Sequence, residues 1–94
     1  MQSEKPIKLL IDQLMKDYDL TDKMAEQRVI HNWGDIVGTM ISQHTSSVQI
    51  TGNHLYVNVN SATLKSELQY HRSVMMGKVN NFIGKDLIKS ITIR

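Results

Sequence analysis

Four histidines and nine carboxylates are the side chains of this 94-residue chain that could ligate a metal or move a proton. His31, His44, His54 and His71 are separated by 13, 10 and 17 residues. No two of them stand at the i, i+4 spacing that puts a histidine pair on one helix face, and no cysteine is present to join them. A metal site would have to be assembled in space. Glu67 and Asp86 are nineteen residues apart, and nothing in their spacing makes them converge. There is no cysteine nucleophile and no Gly-x-Ser-x-Gly turn, and Gly34 and Gly38 are not followed by the Gly-Lys-Ser/Thr of a phosphate loop. These residues predict a protein that is not an enzyme and needs no cofactor.

The charges suggest a different chemistry. The formal net charge of +2 is unevenly spread. Residues 1–46 carry five Lys/Arg and seven Asp/Glu. Residues 47–94 carry Lys65, Arg72, Lys78, Lys85, Lys89 and Arg94 against only Glu67 and Asp86, a balance of +4. Cations collected in one half are the footprint of a polyanion site, and they are also what an ordinary solvated surface looks like. Lys65 and Arg72, seven apart, fall on one flank of a predicted helix; Lys78 and Lys85, also seven apart, fall on the other. Lys89 and Arg94 come from the last strand. Tyr56 is the one aromatic residue on the predicted outer face of the sheet, which otherwise shows Gln49, Thr51, Asn58, Asn60, Ser90, Thr92 and Arg94. Such a face is either solvated, or able to contact bases or to pair with a second copy of itself.

Length and composition limit what can position these groups. Ninety-four residues make one domain, 1–94, with a core that buries about two thirds of the unfolded surface. The absence of cysteine excludes disulfides and suits a reducing compartment. No apolar run approaches the ~18 residues of a membrane span, and the first six residues lack the apolar centre of a signal peptide. A cytoplasmic protein without a membrane partner is expected.

From Ile7 to Tyr18 the apolar residues Ile7, Leu10, Ile11, Leu14, Met15 and Tyr18 form a one-sided helical stripe, broken at Asp19-Leu20. Thr21 can cap a second helix, in which Ala25, Val29, Trp33, Ile36, Val37, Met40 and Ile41 recur at steps of three and four. Gly34 interrupts that pattern, so the segment is either one bent helix or two meeting at Gly34-Asp35. Trp33 reads as a core residue whose indole N–H needs a partner. Met15, Met24, Met40 and Met75 read as core fillers. Val48 and Ile50, then Leu55, Val57 and Val59, alternate with polar residues on either side of Gly52-Asn53. A two-residue turn there pairs Thr51 with His54, Ile50 with Leu55 and Val48 with Val57. Ser61 can cap a helix carrying Leu64, Leu68, Met75, Val79 and Phe82 on one side, with His71 partly buried at its core edge, and Gly84 can end it. Ile91 and Ile93 alternate in a final strand that must run parallel to the strand before the helix. The predicted fold is α+β in the order α-α-β-β-α-β, a two-layer arrangement with helices on one face of a three-stranded mixed sheet.

The series Trp33, Ile36-Val37-Gly38, His44-Thr45, Leu55-x-Val57-x-Val59, Ser61, Glu67-Leu68, Asn80-x-x-x-Gly84 and Ile91-x-Ile93 resembles the DciA family of bacterial proteins, over about residues 5–94. The resemblance implies a K-homology-like fold. It also implies a non-catalytic accessory role in starting DNA replication, with the replicative helicase and single-stranded DNA as partners. An RNA-binding K-homology-like module and a pure protein-interaction domain are the alternatives. The Gly-x-x-Gly clamp of nucleic-acid-binding K-homology domains is absent, since Gly77 stands alone. The residues expected to meet nucleic acid are Lys65, Arg72, Lys78, Lys85, Lys89, Arg94 and Tyr56.

Overall fold

Alternation of β-branched or aliphatic residues with polar ones makes a strand that can bury one side only. A computed structural model describes residues 6–17 and 21–94. In it, β1 (Thr45–Thr51) and β2 (His54–Val59) pair antiparallel, with Thr51 opposite His54, Ile50 opposite Leu55 and Val48 opposite Val57. This is the register that the turn and the alternation predict together. Gly52 makes the turn at φ +62°, a conformation that costs glycine nothing. The pairing slips between Thr45 and Ser47, where one extra residue of β1 is accommodated. The last strand, β3 (Ser90–Ile93), runs parallel to β2, with Leu55 opposite Ile91 and Val57 opposite Ile93. The strand order is β1-β2-β3, so β2 is central. Helices and a three-stranded mixed sheet confirm the α+β class.

The helices are more broken than their periodicity suggests. The second predicted helix is three: α2 (Thr21–His31), α3 (Trp33–Val37) and α4 (Thr39–Gln43), with α1 (Ile7–Asp17) before them. The breaks fall at Asn32 and Gly38, not at Gly34. At Asn32 the backbone N–H and the side-chain amide both donate to the Arg28 carbonyl, at 3.0 and 2.8 Å, and α3 starts anew at the next residue. Gly38 has φ +96°, where a β-carbon would be strained. Gly34 instead lies inside α3, where an added Cβ would stand 3.2 Å from Ser42 Oγ. Its lack of a side chain lets α4 approach.

The third predicted helix is two, α5 (Ala62–Gln69) and α6 (Arg72–Ile83). Ser61 caps α5 by accepting from the Leu64 amide at 3.2 Å, and Gly84 closes α6 in the left-handed conformation, both as expected. The break at Tyr70-His71 carries no glycine or proline. The turn tightens there, with the Tyr70 and His71 amides bonding to the Glu67 and Leu68 carbonyls.

The core lies between the inner sheet face and the helices. Leu55, Val57, Ile91 and Ile93 supply the sheet side; Val29, Trp33, Val37, Leu68, Met75 and Val79 supply the helical side. Fully burying each aliphatic side chain contributes about 1.5–3 kcal/mol. Leu87 and Ile88, in the irregular approach to β3, are buried as well. They are held by Asn80, whose amide donates to the Ile88 carbonyl at 2.9 Å and accepts from the Ile88 N–H at 2.8 Å. One side chain thus replaces a missing strand neighbour for that residue. The Trp33 indole donates to Thr45 Oγ1 at 3.1 Å, and that hydroxyl donates to the Ile41 carbonyl at 2.7 Å. The indole therefore has the partner it needs, and its bond ties α3 to β1.

Two expectations fail on burial. Met24 and Met40 are exposed, and of the methionines read as core fillers Met75 is buried; the Met15 side chain lies outside the described residues. His71 is exposed at the N-cap of α6 and caps nothing with its side chain. The stripe of α1 exists as predicted, and among the described residues it is left largely exposed. Ile7 is 74% exposed, and Leu10, Ile11 and Leu14 are about half exposed. The predicted end of that helix at Tyr18 and the break at Asp19-Leu20 lie outside the described residues. No helix among the described residues is long and apolar enough to cross a membrane.

Candidate nucleic-acid interface

Because successive strand residues face opposite ways, the residues between the buried ones share the outer face. Across the sheet, Ser47 stands opposite Asn58, Gln49 opposite Tyr56 and Thr51 opposite His54; on the other side Ser90 pairs with His54 and Thr92 with Tyr56. These side chains make one connected array. His54 bonds through Nδ1 to Ser90 Oγ at 2.5 Å and through Nε2 to Thr92 Oγ1 at 2.6 Å. Hydroxyls can donate or accept, so either ring tautomer satisfies both bonds. The His54 and Tyr56 ring centroids are 4.5 Å apart, tilted by 53°. The Arg94 guanidinium carbon lies 4.7 Å from the Tyr56 ring centroid, a cation–π contact. Arg94 Nε donates to Asn58 Oδ1 at 2.8 Å, and Asn58 Nδ2 donates to Ser47 Oγ at 2.6 Å.

The structure therefore brings together Tyr56 and Arg94 from the residues singled out by sequence. It adds His54, Asn58 and Ser47 as their supports. His54 was missed as part of this array although a signal existed: it shares the parity of Tyr56 and Asn58 along β2, and alternation alone puts the three on one face.

The remaining cations are dispersed. The two flanks expected on one long helix do not form, because the helix breaks between Lys65 and Arg72 and ends before Lys85. Lys65 is exposed on α5. Arg72 opens α6 and reaches Gln69 Oε1 at 3.4 Å. Lys78 borders an apolar groove of about 170 Å³ that Val37, Ile41, Leu68, Val74 and Met75 help to line. Lys85 forms an ion pair with Asp22, with about half of its side chain exposed. Solvent screens such a pair and its stabilisation is small, but it lowers the field Lys85 offers an anion. Lys89 is exposed, and its amide donates to the Asn53 carbonyl at 2.8 Å, fixing the start of β3.

Among the described residues no group of three His, Cys, Asp or Glu side chains converges to hold a metal ion. Of the four histidines, His54 is engaged by hydroxyls as described, and His44 Nδ1 stands 3.2 Å from Asn60 Oδ1. The Asn60 amide also bonds to the His44 carbonyl at 2.9 Å, so this pair ties the start of β1 to the end of β2.

The model of the family described as Dna[CI] antecedent, DciA matches residues 6–93. The chain is also similar to relatives that carry the name UPF0232 protein. That of Mycobacterium ulcerans is 24% identical over 89 residues, covering 95% of this chain and 48% of the relative. UPF0232 protein Rv0004 of Mycobacterium tuberculosis is 22% identical over 93 residues, covering 99% of this chain and 50% of the relative. The chain thus spans about half the length of the curated relatives it matches.

Proposed function

This chain belongs to the DciA family, and from that premise we propose that it is a non-catalytic accessory factor in the initiation of DNA replication. Residues 1–94 act as a single domain in the cytoplasm. The domain docks on the replicative helicase and holds single-stranded DNA. The family match from residue 6 to residue 93 is the observation that carries this reading, because it takes in every helix and strand of the fold.

Two physical features support it. An apolar helix face left in water is the signature of a macromolecular contact, and α1 carries one along Ile7, Leu10, Ile11 and Leu14. The second is charge: Lys65, Arg72, Lys78 and Lys89 are exposed cations that can take phosphates, with Lys85 joining them when its pair with Asp22 opens.

Capture from the native cell extract, scored for the replicative helicase, tests the docking half. Retention of the helicase is expected, and its absence from the captured material would overturn the proposal. Charge reversal at Lys65, Arg72, Lys78 and Lys85 tests the DNA half. DNA retention should be lost with little change in the thermal midpoint, and equal retention would remove these four from the DNA role. Matched DNA and RNA oligomers at one salt concentration separate this reading from an RNA-binding module. A domain that binds only proteins would give no salt-sensitive binding to either.

A further inference from the structure

The outer face of the sheet holds a stack whose members fix one another. The Tyr56 ring has His54 on one side, at 4.5 Å between centroids, and the Arg94 guanidinium on another, at 4.7 Å from its centroid. Both ring nitrogens of His54 are occupied by β3 hydroxyls, so that ring cannot turn without losing two hydrogen bonds. Arg94 is held through Nε by Asn58, and Asn58 in turn is bonded to Ser47. Ordering an arginine on a surface costs side-chain entropy, and here the cost is already met in the free protein.

The chemistry of this array fits one class of ligand. A planar cation lying over an aromatic ring presents a flat, polarisable surface of the kind on which an unpaired base stacks. The guanidinium has five N–H donors, and the contact with Asn58 uses one, which leaves donors for a phosphate beside the stacked base. Among the described residues, the strand neighbours on this face are Ser47, Gln49, Thr51, Ser90 and Thr92, none of them a carboxylate. A polyanion approaching these side chains meets the Arg94 guanidinium among neutral hydrogen-bonding groups.

We propose that the Tyr56–Arg94 pair is a stacking site for one unpaired base of single-stranded DNA, with Arg94 also contacting the adjacent phosphate and His54 and Asn58 holding the pair in place. This rests on the DNA-binding half of the proposed function. It places the base contact on the sheet, on the side away from the helices, and leaves the cations of α5 and α6 to non-specific phosphate contacts.

The test is a salt series of anisotropy titrations with a labelled oligothymidylate, using the full chain. Tyr56→Leu should lower affinity roughly tenfold and leave the salt slope unchanged, because stacking is lost and no charge is. Tyr56→Phe should bind as the parent does. Arg94→Gln should lower affinity and reduce the slope by about 0.7, the contribution of one phosphate contact on a single strand. Thermal midpoints close to the parent's show that each variant is folded. Parental affinity in both Tyr56→Leu and Arg94→Gln would overturn the site. If charge reversal on the helices abolishes binding in the same series, the DNA-binding reading survives that loss. Absence of salt-sensitive binding by the parent chain would overturn both. Tighter binding of a matched oligouridylate, with the same dependence on Tyr56, would overturn the assignment to DNA.

Discussion

The two faces of the sheet are made from alternate residues of the same three strands, yet they differ in nearly every physical respect. The inner face shows Leu55, Val57, Ile91 and Ile93, each between 0 and 8% exposed, and is held by non-directional burial under the helices. The outer face shows His54, Tyr56, Asn58, Ser90, Thr92 and Arg94, and is held by directional contacts between side chains. Burial tolerates any well-packed apolar set of the right volume, whereas a chain of hydrogen bonds requires particular atoms at particular places. The inner face therefore bears on stability, and the outer face is where the proposed base contact is placed. A two-residue period lets a short sheet carry two such different faces without one constraining the other.

Substitutions should separate the two roles, and the largest effect belongs to the inner face. Leu55 is fully buried, so Leu55→Ala should cost about 3 kcal/mol of unfolding free energy in a denaturant titration, while the folded fraction keeps its oligonucleotide affinity. Asn80 sharpens the contrast because it is a polar residue with an interior task. Asn80→Leu leaves the Ile88 N–H and carbonyl without their partner and should cost about 2 kcal/mol, again with affinity kept. An Asn80→Leu chain as stable as the parent would show that Leu87 and Ile88 are placed by burial alone. Trp33→Phe removes the indole donor to Thr45, while the Thr45 bond to Ile41 remains, and should cost about 1 kcal/mol beyond its loss of packing. The smallest effect is expected at Lys85→Gln. Its ion pair with Asp22 is half exposed, so the stability change should stay within about 0.5 kcal/mol and shrink as salt is added.

The sheet was legible in the sequence because independent signals agreed there. The Gly52-Asn53 turn, the alternation of Val48 and Ile50, and that of Leu55 and Val57 allow one register, and slipping it by one residue would expose the core face. Ser61 and Gly84 were legible for a similar reason, since each solves a local backbone problem with a local residue. The helix breaks were not. At Asn32 the side chain bonds back to the Arg28 carbonyl, an option that any Asn in a helix has without ending the helix. At Tyr70-His71 no residue type marks the break at all. That one unmarked turn dissolved the pairing of Lys65 with Arg72, which rested on an unbroken 3.6-residue period. The segment containing Leu87 and Ile88 was hidden because its backbone partner is the side chain of Asn80, eight residues from Ile88. Family resemblance preserved Asn80 and Gly84 as a motif without revealing that one holds the approach to β3 and the other ends α6.

The most direct test of this division is to measure oligothymidylate affinity and thermal midpoint on the same two variants, Leu55→Ala and Tyr56→Leu, neighbours in β2 whose side chains face opposite ways. The account expects Leu55→Ala to lose midpoint and keep affinity at a temperature where it is folded, and Tyr56→Leu to keep midpoint and lose affinity. Loss of both properties together in either variant, while the other keeps both, would contradict it.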